Sequence, residues 1–136
     1  MGGLYVQCGE YGGEDKSMSA ISGVLGAIAE GLSGADKAAF MLAFRPLIDG
    51  DVDEEGVELG AEHVRLLEAP LRAYYAALGE KLGHPEPWEA PDLDGGSVDA
   101  KYGAGDGWRY YCAHDLLQAC EVHREQEGEP IVIFYM

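Results

Sequence analysis

The chain has 136 residues, with 25 acids against 9 Lys and Arg, and a formal net charge of −16. That length suffices for one domain whose core needs no disulfide or metal staple, and a 47% hydrophobic content argues against intrinsic disorder in spite of the charge. Nine scattered cations disfavour a nucleic-acid backbone or an anionic lipid surface as partner.

No run approaches the roughly eighteen apolar residues of a membrane span, and the N-terminus lacks the basic and apolar regions of a secretory signal. The expected setting is therefore cytoplasmic. Cys8, Cys112 and Cys120 are odd in number and lie in apolar surroundings. They read as reduced, packed thiols rather than a disulfide framework.

In chain order, residues 3–8 form a short strand with Leu4 and Val6 on one face, Tyr5 and Gln7 on the other. A Gly-rich loop follows over residues 9–16. From Ser17, a plausible N-cap, Met18, Ile21, Leu25, Ile28 and Leu32 recur at helical spacing. Gly23 and Gly26 interrupt the other faces and mark close packing or mobility. A second helix opens at Ser33 with Asp36, buries Phe40, Met41 and Phe44, and is expected to end before Pro46, which disfavours helical geometry at Arg45.

Residues 49–60 make an acidic connector with room for a short strand at 57–59. Residues 61–82 carry the longest helical pattern, closed by Gly83 and Pro85, and Pro70 is expected to kink or split it. Residues 84–107 read as a long loop with at most one edge strand near 97–102. A helix over about 110–126 then leads through Gly128 to the strand 131–135, the organising element, whose apolar residues call for cover on both sheet faces. The fold expected is a single α+β domain over residues 1–136: a small mixed or antiparallel sheet containing both terminal strands, against three to four helices.

Candidate chemistry is sparse. The run GEYGGEDKS ends in Lys16-Ser17 like a phosphate loop, but Glu10 and Asp15 stand where glycines are needed, and three acids oppose an anion. Asp49, Asp51 and Asp53 alternate as in a calcium loop, yet Glu54 replaces the turn glycine and Gly60 the bidentate Glu. With Glu54, Glu55 and Glu58 the stretch is better read as a solvated acidic face than as a weak cation site.

Cys120 and His123 share a helix face but lack a third ligand unless Cys8 or His63 supplies one, so packed thiols are favoured. His114 and Asp115 point about a hundred degrees apart on a helix and are not expected to act on one another. Asp115 reads as an early-helix acid favoured by the dipole.

No catalytic residue, cofactor or metal is therefore assigned. The favoured function is a non-catalytic domain that binds a basic protein, most concretely an inhibitor that neutralises it. Asp51, Asp53, Glu54 and Glu55 supply the attraction, and Trp88 and Trp108 the anchors. Residues 49–62 hold seven acids and residues 86–99 five, with no Lys or Arg in either, which suits steering towards a cationic groove. Trp108, Tyr110, Tyr111 and Tyr102, with Trp88, form an aromatic set near Asp92, Asp94, Asp99 and Asp106; core packing accounts for most of it. In composition alone the chain resembles bacterial immunity and antitoxin-type inhibitors. The alternative is a small enzyme or metal-binding protein using Asp49, Asp51 and Asp53, or Cys120 with His123.

Overall fold

The computed structural model describes residues 3–96 and 98–136. Its sheet has four antiparallel strands in the order β2-β1-β4-β3: β1 (Leu4–Cys8), β2 (Tyr11–Gly12), β3 (Val57–Leu59) and β4 (Ile131–Tyr135). The two terminal strands pair along their whole length, from Leu4 opposite Tyr135 to Cys8 opposite Ile131. With the helices this is the expected α+β architecture.

The two-residue period of the strands decides what the sheet buries. Leu4, Val6, Cys8, Leu59, Ile131 and Ile133 point to the helices and are buried. Their neighbours Tyr5, Val132 and Phe134 stay half-buried on the opposite face. Cover on both faces, expected from the unbroken apolar run of β4, is not what the molecule builds. Stacking of Tyr5 on Phe134 at 5.8 Å, and the polar Gln7 and Glu58 on either side of Val132, shield the outer row instead.

α1 (Met18–Glu30) starts as its sequence dictates: the Ser17 hydroxyl accepts the Ala20 N–H at 3.0 Å. Val24 and Ala29 are buried beside Ile21, Leu25 and Ile28, so its apolar stripe is wider than the simple repeat. α2 (Gly34–Ile48) passes through Pro46 rather than stopping before it. Burial of Phe40, Phe44 and Leu47 on one face outweighs the local preference of the residue before proline. The carbonyl that Pro46 leaves without its helical donor belongs to Leu42, a solvent-facing position.

α3 (Ala61–Leu82) likewise runs unbroken past Pro70, with Val64, Leu67, Leu71 and Leu78 buried. It ends in Gly83, whose φ of 82° only glycine adopts cheaply, and the His84 N–H returns to the Gly79 carbonyl at 2.7 Å.

Residues 84–105 hold a 3₁₀ turn (Ala90–Asp94) and a single helical turn, α4 (Val98–Lys101), where an edge strand was expected; Ser97 lies outside the described residues. α5 (Asp106–Glu125) begins four residues earlier than its apolar pattern suggests. The reason is a cap from a distance: the Asp94 carboxylate accepts the N–H groups of Gly107 at 2.6 Å and Trp108 at 3.1 Å. Among the described residues no helix is long and apolar enough to cross a membrane.

Candidate functional site

Asp51, Asp53, Glu54 and Glu55 are all exposed, on the connector between α2 and β3. The connector is ordered by its own chemistry. Asp53 Oδ1 accepts the N–H groups of Glu55 (2.9 Å) and Gly56 (3.2 Å), and the Asp53 carbonyl accepts the Tyr135 N–H at 3.0 Å. Gly56 takes φ 81°, and a Cβ there would meet the Ile133 carbonyl at 2.7 Å, so the turn needs glycine. Val52, the three acids 53–55 and Tyr135 surround an open recess of about 480 Å³.

The aromatic set divides. Tyr110 is buried and stacked on Tyr75 at 4.4 Å, Tyr111 is buried, and Trp108 is half-buried and stacked on Tyr111 at 6.4 Å. Trp88 is 58% exposed, and Leu93, Val98 and Tyr102 in the same segment are equally open. Of the two anchors, Trp88 presents a free face to solvent, while Trp108 is tied into the core. Two of the acids expected around these rings have internal duties: Asp94 caps α5, and Asp106 pairs with Lys81 at 2.7 Å.

The acidic connector and the aromatic segment adjoin the same helix end. Gly50 lies against Met18, where an added Cβ would sit 3.4 Å from Cγ. The Ser17 hydroxyl donates to the Gly103 carbonyl at 2.9 Å. The N-terminus of α1 thus stands between the two stretches, and exposed Glu14 and Asp15 lead into it.

A buried polar cluster was not foreseen. Lys16, 1% exposed, donates to Asp115 Oδ2 at 2.6 Å and to the Glu14 carbonyl at 2.8 Å, with its ammonium 3.7 Å from the centre of the Tyr111 ring. Asp115 Oδ1 accepts from the Tyr11 hydroxyl at 3.0 Å and lies 3.2 Å from His114 Nδ1. Burial would raise the Asp115 carboxyl, but hydrogen bonds from His114 and Lys16, the Lys16 charge and the Tyr11 hydroxyl outweigh it and hold the group below the ordinary value.

Two sequence expectations are corrected here. Asp115 is a buried mid-helix acid, not an early-helix one favoured by the dipole. His114 does reach Asp115, because rotamers bridge neighbours whose Cβ vectors diverge. Lys16 is withdrawn from solvent by the same cluster. The signal was present: Asp115 falls on the α5 stripe with Cys112, Leu116 and Ala119, where a charge must find a partner.

His123 Nδ1 lies 2.7 Å from the Glu129 carbonyl, to which the Cys8 thiol also donates at 3.3 Å. Among the described residues no three His, Cys, Asp or Glu side chains are grouped to hold a metal ion. Burial pushes the Cys112 and Cys120 thiols up to about 12. In the native protein a thiol-specific reagent should therefore label Cys112 and Cys120 only at the rate of unfolding, and all three cysteines promptly in denaturant. Rapid native labelling of Cys112 or Cys120 would show that the core opens locally.

The chain matches no protein-family model, no curated protein and no solved structure.

Proposed function

We propose that the protein is a non-catalytic binding domain for a basic protein, acting as an inhibitor or neutraliser. The observation that carries this reading is the exposure of Asp51, Asp53, Glu54 and Glu55 on a connector whose Gly50 lies against Met18 at the N-terminus of α1. Gly103 of the exposed aromatic segment is hydrogen-bonded to that same helix end. Exposed carboxylates concentrated in one connector of a −16 chain accelerate encounter with a cationic surface. Trp88, flanked by Glu86 and Glu89, supplies desolvated area once contact is made.

The test begins with capture of partners at low and high salt, and continues with association rates for the purified pair. Replacing Asp51, Asp53, Glu54 and Glu55 by Lys should lower the melt only by what the two turn hydrogen bonds to Asp53 contribute, because exposed charges add little to stability. It should slow association by about tenfold or more at low salt, with the difference closing as screening shortens. Trp88→Ala should act chiefly on dissociation. An association rate that ignores the four reversals would reduce the connector to a solubility device.

A further inference from the structure

Arg109 of α5 makes no ion pair among the described residues, and its Nε is buried with no acceptor for its proton. Asp106, one turn earlier on the same helix, is taken by Lys81. A buried donor left unanswered costs stability, and in a chain of −16 a half-buried guanidinium without a carboxylate is out of keeping with its surroundings.

The neighbours of Arg109 place it at the end of a cleft. Gly23 of α1 makes the room for it: an added Cβ would stand 2.7 Å from Nε and 3.0 Å from Cζ and Nη2. One and two turns further along that face come Ala27 and Gly31. With Ile28, Pro70, Ala73 and Tyr74 they line a cleft of about 300 Å³ between α1 and α3, and none of its lining residues carries a charge. Tyr74 ties the cleft to the guanidinium, since its hydroxyl lies within the field of Arg109. Burial pushes that hydroxyl up to about 12 against the pull of Arg109, so it keeps its proton at neutral pH and remains a donor.

We propose that this cleft binds a small molecule carrying one carboxylate on an apolar body. Arg109 and the Tyr74 hydroxyl take the carboxylate, while Ala27, Ile28, Pro70 and Ala73 cover the body. The guanidinium fork matches the two oxygens of a carboxylate. One unpaired cation balances one negative charge, and the field of a −16 chain disfavours a dianion such as phosphate. The volume is at the small end for ligand sites, which limits the body to a short chain or a single ring. Neither the acidic connector nor Trp88 takes part, so the site stands or falls apart from the partner-binding reading.

Calorimetric titration with octanoate tests the proposal, with acetate, octanol and inorganic phosphate as comparisons and circular dichroism melts to follow folding. Octanoate should bind at a single site and raise the melt. Acetate lacks the body, octanol the charge, and phosphate both the body and the right charge; each should bind at least about tenfold more weakly. Arg109→Met should weaken octanoate about tenfold or more without lowering the melt, because it removes a buried donor that has no partner. Ala27→Leu, which fills the cleft and leaves Arg109 in place, should weaken octanoate as well. Should Arg109→Met fail to fold, Ala27→Leu and the ligand series decide. A folded parent that does not bind octanoate overturns the proposal. So does octanoate binding that either folded variant leaves intact, or that acetate, octanol or phosphate equals.

Discussion

Lys16→Met should destabilise the protein by about 3–5 kcal/mol, the cost of leaving a buried charge without its counter-ion. The lost ammonium sits 2.6 Å from Asp115 and is itself fully enclosed, so water cannot take its place without opening the core. Asp115→Leu should cost a similar amount from the other side, stranding the ammonium on one carbonyl and one aromatic ring. Lys16→Met with Asp115→Leu should recover much of either loss, because a packed apolar pair often matches a buried ion pair. Urea melts of the four proteins form a double-mutant cycle. Single losses below about 1 kcal/mol would mean that the pair is wet and exposed in solution.

The same pair sets an acid limit. Asp115 titrates below its unfolded value of about 3.9, so its contribution is complete above that pH and vanishes as pH falls through the lower folded value. The parent should thus lose stability below about pH 4 more steeply than Asp115→Asn, which starts lower and lacks this proton uptake. Melting temperatures of the two proteins across that window should converge as the pH drops. Parallel curves would show that Asp115 is not held below its unfolded value.

Periodicity made the layers of this fold legible, while the proline rule read in isolation misplaced the end of α2. Leu4 and Val6 alternate with Tyr5 and Gln7, and the 61–82 stripe needs only spacing to be recognised as one helix. Pro46 misled because local preference was weighed without the apolar face that holds α2 together, while Pro70 does not split α3. The early start of α5 depends on Asp94, thirteen residues upstream of Gly107, and no local pattern announces a cap supplied from that distance.

At the candidate site, the charge of the connector was plain from composition, but its approach to the aromatic segment is tertiary. It runs through Gly50 against Met18 and Ser17 against Gly103, contacts between stretches separated by up to 86 residues. The Lys16–Asp115 pair, 99 residues apart, was hidden for the same reason, although a lone acid on an apolar stripe was a sign that something must answer it.

Phe44→Ala should cost about 3–5 kcal/mol, the usual loss for a fully buried ring. Phe44 is wholly enclosed, tilted against Phe40 at 4.6 Å and presenting or receiving an edge at His63 at 5.5 Å and 78°, so its removal opens a cavity between α2 and α3. Phe134→Ala, on the strand that organises the sheet, should cost about half as much or less, because that ring is only half-buried, against the Tyr5 stack and the Gly56 turn. Side-by-side urea melts of the two variants decide the matter. Equal losses would mean that the outer face of the sheet is covered in solution, and the copy or partner covering it would then contact Tyr5, Val132 and Phe134. A loss at Phe44 below about 1 kcal/mol would instead indicate that α2 repacks around the gap, which the fixed position of Pro46 two residues on makes the harder outcome.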